Sequence, residues 1–250
     1  MASRVFNLLT PHSSDRFHAR NNQFQMNGTK GFFEVQILDK NHLYWRLDLP
    51  GVSKERFLYA IDKEKKLISI EGEALKESEH EEGGRSYGAS FTLVCNCCEI
   101  SNVKHDVRDR VLRMTLQKVR IKDAQRECYQ GDGNEVPDEI ENLHSDGSGR
   151  AVEDRPYLLK GSREAFESIL TENGGLFLRV DMPGVAEEDA RVCVVGGNVI
   201  FFGKALKVME HDSSGREYLG SVSLLPMTPI EGNIEHAMKD GVFRLSISPV

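Results

Sequence analysis

Two stretches decide the fold: Leu43-Tyr-Trp-Arg-Leu-Asp-Leu-Pro-Gly-Val52 and Leu176-Phe-Leu-Arg-Val-Asp-Met-Pro-Gly-Val185. Six of their ten positions are identical, and three of the other four exchange apolar for apolar. In the first, Leu43, Trp45, Leu47 and Leu49 alternate with Tyr44, Arg46 and Asp48. In the second, Leu176, Leu178, Val180 and Met182 alternate with Phe177, Arg179 and Asp181. A period of two sends successive side chains to opposite faces, so each stretch reads as a strand with one buried face. Pro-Gly ends it, because proline lacks an N–H and glycine accepts turn dihedrals. Asp48 and Asp181, just before Pro-Gly, are expected to accept turn hydrogen bonds rather than act as acids.

The likeness continues in register. Ala74-Leu-Lys76 answers Ala205-Leu-Lys207, and Glu79-His80 answers Glu210-His211. Gly84-Arg85 with Tyr87 answers Gly215-Arg216 with Tyr218. Asn102-Val-Lys-His105 answers Asn233-Ile-Glu-His236, and Asp109, Val111 and Arg113 answer Asp240, Val242 and Arg244. The offset moves only from 133 to 131, so two single-residue gaps suffice. Two long copies are a duplicated domain, each able to bury its own core, and not a solenoid. Between them, Lys122 to Arg155 is acidic and Gly-rich without periodicity. The expected organisation is a flexible N-terminal segment over 1–31, a first domain over 32–121, a linker over 122–156 and a second domain over 157–250.

Further short strands are expected at 57–61, 67–70, 90–94 and 111–116, and at 191–195, 199–202, 221–225 and 242–247. Turns fall at Lys63–Lys66 and Gly196–Asn198. Many short strands without helical periodicity give an all-β fold class, two tandem immunoglobulin-like antiparallel β-sandwiches.

The order of these pieces resembles one family. A strand ending Asp48-Leu-Pro-Gly-Val52, then Ile68-Ser-Ile-Glu-Gly-Glu73, a charged loop and Ser90-Phe-Thr-Leu93 is similar to the α-crystallin domain of small heat-shock proteins. Asp240-Gly-Val-Phe-Arg-Leu-Ser-Ile247 resembles that domain's terminal Gly-Val-Leu strand. Tandem copies resemble plant multi-domain members. The resemblance implies an ATP-independent holdase that binds apolar segments of unfolding proteins through an apolar groove and open sheet edges. By position the groove is lined by Phe57, Tyr59, Ile61 and Val103 in one copy and by Val192, Val194 and Ile234 in the other. The competing function is a non-chaperone protein-interaction scaffold in a defined complex, for which the nucleus is one compatible location. Partners are then unfolding clients or one dedicated protein, with the two domains paired within a chain or in a small homo-oligomer.

The sequence also departs from the family. Its last strand runs straight to Pro249-Val250, without an Ile-x-Ile tail beyond it. Val119-Arg-Ile121 reads as the end of a strand, the loops Leu75–Tyr87 and Leu206–Tyr218 are short for strand exchange, and Arg110 stands where a glycine is expected.

Composition narrows the other classes. A net charge of −7 and a pI near 5.7 argue against general nucleic-acid binding. No apolar run reaches the length of a membrane span. Asp15 counts against an organelle transit peptide, so the expected location is cytoplasmic, with the nucleus compatible. The five cysteines form no paired C-x-x-C framework; free thiols and no metal are expected. Gly197 to Lys204 has five residues between its glycines, one too many for a phosphate loop. His80 and His211 sit in charged loops and read as solvated. No Ser/His/Asp or Cys/His arrangement stands out, so neither catalytic residues nor a cofactor are expected.

Overall fold

The computed structural model describes residues 4–7, 17–18, 25–28, 33–39, 41–93, 97–121, 158–160, 165–195, 197–212, 214–223 and 233–248. The first half carries β1 (Arg4–Asn7), β2 (Phe17–His18), β3 (Gln25–Gly28), β4 (Phe33–Ile37), β5 (His42–Asp48) and β6 (Val52–Ile61). It continues with β7 (Leu67–Ala74), β8 (Arg85–Thr92), β9 (Cys98–Arg108) and β10 (Val111–Arg120). The second half carries β11 (Leu158–Lys160), β12 (Phe166–Leu170), β13 (Leu176–Asp181) and β14 (Val185–Val195). β15 (Asn198–Ala205), β16 (Arg216–Ser223), β17 (Ile234–Lys239) and β18 (Val242–Ile247) complete it.

Two sandwiches result. In the first, β6, β7 and β8 form one layer and β4, β5, β10 and β9 the other. In the second, β14, β15 and β16 face β12, β13, β18 and β17. The orders match copy for copy, and β7 and β15 share one alternating burial pattern. Each sandwich closes over its own core. Trp45, Ile68, Phe91, Leu112 and Met114 anchor the first, and Leu178, Val199, Phe201, Phe243 and Leu245 the second. Alternation on inward faces thus buries apolar area, the main driving force for folding.

Both gaps in the repeat fall at one hairpin. Six residues separate Ile61 from its cross-strand partner Ile68, but only four separate Val194 from Val199. In the longer turn, Asp62 Oδ1 accepts hydrogen bonds from the N–H of Lys66 at 2.7 Å and of Leu67 at 2.8 Å.

The expected strand boundaries need three corrections. β8 and β16 begin five residues before the expected 90 and 221, because Arg85 and Arg216 are placed in the ladder by pairing with Ala74 and Ala205. Residues 1–31, expected to be flexible, contribute three strands. One of them, β3, pairs with β16 of the second sandwich, while β11, the counterpart just before the second sandwich, pairs with β8 of the first. The third correction concerns the two deciding stretches. Their polar faces are not exposed: Tyr44, Arg46, Asp48, Phe177, Arg179 and Asp181 are all buried. Val119 and Arg120 extend β10 as the sequence suggests. The linker 122–156 lies outside the described residues.

Candidate functional site

The buried polar faces meet each other. Asp48 Oδ2 accepts a hydrogen bond from Arg216 at 2.6 Å, and Asp181 Oδ2 accepts one from Arg85 at 2.7 Å. These are the same pair written twice and exchanged between sandwiches. Arg113 Nε reaches both oxygens of Asp212 at 2.9 Å, and Arg244 Nε reaches Glu81 Oε1 at 2.6 Å. His211 packs on the ring of Tyr44 with centroids 5.5 Å apart, and His80 on Phe177 at 5.4 Å. The N–H of Gly51 donates to the carbonyl of Asp240 at 2.7 Å, and that of Gly184 to the carbonyl of Asp109 at 2.8 Å. Each of these contacts has its mate with the copies exchanged, which is the signature of an isologous, two-fold interface.

Two sequence expectations are thereby revised. Asp48 and Asp181, expected to serve their own turns, bind arginines of the other sandwich. His80 and His211, expected to be solvated, are only partly exposed and pack across the interface on Phe177 and Tyr44. The loops Leu75–Tyr87 and Leu206–Tyr218 carry Glu81 and Asp212 across the interface. The turns themselves rest on Gly51 and Gly184, at φ +84° and +91°. A Cβ there would lie 2.7 Å from Ala74 Cβ or 2.9 Å from Ala205 Cβ, so only glycine fits both the dihedral and the space.

The exchanged sets differ at Tyr44. Tyr44 donates to Asp212 Oδ1 at 2.5 Å, whereas Phe177 has no hydroxyl for Glu81. Burial alone would raise the Asp212 carboxyl. The Tyr44 hydroxyl, the Arg113 guanidinium and the N–H groups of Met209 and Val208 outweigh it and hold the carboxyl below its ordinary value. Burial, and then the hydrogen bond to Asp212, push the Tyr44 hydroxyl well above the usual phenol range.

The expected groove residues lie at the lips of the sandwiches. β6 and β9 are edge strands of opposite layers, as are β14 and β17. Their outer backbone groups are therefore in position to pair with an added strand. Tyr59 and Ile61 are partly exposed along β6, and Val194 is 50 % exposed on β14. Val103, Val192 and Ile234 are partly buried against the cores. Phe57 is a core residue, exposed by only 9 %. The two lips differ. In the first sandwich the His105 ring bridges the groove, 4.7 Å from Tyr59 and 6.3 Å from Phe57. In the second, Ala190 and Val192 hold the ladder positions of Phe57 and Tyr59, so that groove is lined by smaller side chains. The sequence set the strand Val103–His105 against Phe57–Ile61 but named Val103, and not His105, as lining the groove, because no spacing rule shows that the imidazole reaches Tyr59.

The cysteines also depart from expectation. Cys97 is disulfide-bonded, and Cys193 is an exposed free thiol. No helix of the described residues is long and apolar enough to cross a membrane.

Paired layers of this order, with edge strands bounding an apolar groove, define a sandwich of the α-crystallin class. A family model described as "Predicted plant small heat shock protein" matches residues 7–250. The chain belongs to this plant small heat-shock protein family. It is 30 % identical to the "Putative 57 kDa heat shock protein" of Arabidopsis thaliana over 82 % of this chain and 54 % of that one. It is 34 % identical to the "Small heat shock protein, chloroplastic" of Oxybasis rubra over 42 % of this chain and 47 % of that one. The chain spans about half the length of these curated relatives. The solved hspA of Xanthomonas axonopodis covers 34 % of this chain and 90 % of its own, at 24 % identity and a TM-score of 0.28.

Proposed function

We propose that this chain is an ATP-independent, non-enzymatic holdase that captures extended apolar segments of unfolding proteins along its sandwich lips. The observation that carries this is the exposure of Tyr59, Ile61 and Val194 on edge strands. An edge strand offers unpaired backbone donors and acceptors, and alternate apolar side chains beside it give a client somewhere to bury its own. Family membership supports the same reading. In it, the two sandwiches span 32–121 and 157–250, joined by 122–156, and serve each other as partners within one chain. We place the protein in the cytoplasm.

The test is suppression of heat-induced aggregation of a model client, without ATP, at up to equimolar chain. Protection is expected, and Tyr59→Asp with Val194→Asp should remove at least half of it while leaving the melting temperature within a few degrees. Protection indifferent to both substitutions would place client capture elsewhere. No protection, with one protein co-purifying stoichiometrically, would establish the interaction-scaffold function instead.

A further inference from the structure

The two lips share one backbone and carry opposite charge. On β6 the ladder pairs Val52 with Ala74 and Phe57 with Gly72; on β14 it pairs Val185 with Ala205 and Ala190 with Gly203. The stretch between these pairs is left out of both ladders. It reads Ser53-Lys-Glu-Arg56 in the first sandwich and Ala186-Glu-Glu-Asp189 in the second. Lys54 thus gives way to Glu187, and Arg56 to Asp189. Across the lip, on β9 and β17, Lys104 stands opposite Thr115 and Glu235 opposite Ser246, at one repeat position. Three matched positions therefore change sign. Over residues 52–61 with 103–108, four cations stand against two carboxylates. Over the matching 185–194 with 234–239, four carboxylates stand against two cations.

The second lip does not neutralise its own carboxylates. Arg191 Nη1 donates to the backbone carbonyls of Glu188 and, at 3.0 Å, of Ala190. Lys239 Nζ donates to Glu77 of the first sandwich at 2.7 Å. Among the described residues, no ion pair joins Glu187, Glu188 or Asp189 to a cation. Glu187 and Glu188 are exposed, on the same edge strand as Val192 and Val194 and just before them. An extended segment whose apolar run pairs along 190–194 carries its flanking residues past this stretch. A lysine or arginine in that flank meets carboxylates on the second lip, but Lys54 and Arg56 on the first. Exposed charges act weakly one by one, and several of one sign beside a groove act together. Attraction at one lip with repulsion at the other is what separates partners.

We propose that the second lip, between β14 and β17, selects extended apolar segments flanked by lysine or arginine, and that the first lip disfavours them. The client rests on the holdase function above; the charge preference goes beyond it. Duplication thereby gives one chain two grooves of the same shape that sort polypeptides by the charge beside their apolar runs.

Two labelled peptides share the centre Ile-Ser-Val-Ser-Ile and are flanked on each side by two lysines or by two glutamates. Each is titrated by fluorescence anisotropy against the full chain. The variant Glu187→Lys with Glu235→Lys gives the second lip the residues that the first copy holds there, Lys54 and Lys104. The control, Glu71→Lys with Glu172→Lys, makes the same change of net charge at exposed positions on β7 and in the turn between β12 and β13. We expect the lysine-flanked peptide to bind saturably, about fivefold or more weaker to the lip variant and within about twofold to the control. The glutamate-flanked peptide should not weaken in the lip variant. The preference should shrink at about 0.5 M salt, where exposed charges are screened. Equal weakening in variant and control, or no saturable binding of the lysine-flanked peptide, would overturn the preference. If the lip variant does not fold, Glu187→Gln with Glu235→Gln should still weaken that peptide about twofold, and unchanged binding would overturn the preference as well. Loss of self-association in sedimentation, with peptide binding unchanged, would give the second lip to another copy of the chain and overturn the client. Client protection without lip-dependent peptide binding strikes the preference alone. Lip-dependent binding without client protection strikes the holdase function and leaves the preference in place.

Discussion

Gly220 and Phe201 show how a repeated core diverges one residue at a time. A Cβ at Gly220 would lie 2.0 Å from the tip of the Phe201 ring. In the first sandwich the same two positions are Ala89 and Ile70, so a methyl gained on one strand is matched by a smaller side chain on the other. The exchange is compensated further off. Trp45 and Phe91, 4.1 Å apart, fill the first core where Leu178 and Val222 stand in the second, and Phe201 with Phe243, 5.1 Å apart, fill the second where Ile70 and Leu112 stand in the first. Close packing requires such trades, because total volume is conserved better than any single side chain. Gly220→Ala is therefore expected to destabilise the protein by about 1–3 kcal/mol in chemical denaturation. Adding Phe201→Ile should recover most of that loss; a harmless single substitution would contradict the packing described. Arg110 is a second local exception. It adopts φ +61° where its counterpart Gly241 adopts φ +66°. A Cβ on Gly241 would approach Arg110 Cβ to 3.1 Å, so only one of the two facing positions has room for a side chain. Arg110 uses that room to form an ion pair with Asp240 of the other sandwich, which offsets the cost of a left-handed arginine.

β5 and β13 explain what a strand pattern reveals and what it hides. Alternation from Leu43 to Leu49 was enough to find the strand and its inward face. It could not show that Tyr44, Arg46 and Asp48 are buried as well, because charged residues on an alternating strand read as solvent-facing. The fact that Arg and Asp recur at matched positions was the available signal, and a turn function accounted for it equally well in sequence. Long-range partners such as Arg216 for Asp48 are 168 residues away, beyond any local rule. Apolar spacing singled out Tyr59, Ile61 and Val194, which are exposed; Phe57 shares the face of Tyr59 and Ile61 on β6 but belongs to the core cluster, a depth that spacing does not give. At this scale the loop carrying Asp212 yields a pH prediction. Its carboxyl is held below the ordinary carboxylate value of about 3.9 in the folded chain. Its contribution is then complete above that ordinary value and is lost as the pH falls through the lowered one. Denaturation midpoints should drop on acidification below about pH 4, and Asp212→Asn, measured at the same pH values, should start lower and drop less. An equally steep acid limb in the variant would assign the effect to other carboxylates.

At the scale of the whole molecule, duplication has placed a two-fold interface inside one chain. Asp48–Arg216 and Asp181–Arg85, Arg113–Asp212 and Arg244–Glu81 are exchanged between the sandwiches. β3 and β11 are exchanged likewise, each preceding one sandwich and pairing with the other: Gln25 lies opposite Tyr218, and Leu158 opposite Tyr87. Buried ion pairs add little over well-packed apolar residues, but removing one partner strands a charge and costs about 3–5 kcal/mol. Arg216→Ala is thus expected to weaken both sandwiches, although the residue belongs to the second. Trp45, the chain's one tryptophan, lies wholly buried in the core of the first sandwich and reports on that sandwich alone. Its fluorescence followed through urea denaturation, beside far-ultraviolet circular dichroism that reports on both, is the most direct measurement of the pairing. Coincident transitions in the unaltered chain, and a Trp45 midpoint moved to lower urea by Arg216→Ala, are the predicted result. A Trp45 transition that Arg216→Ala leaves in place, separate from the unfolding of the second sandwich, would contradict it.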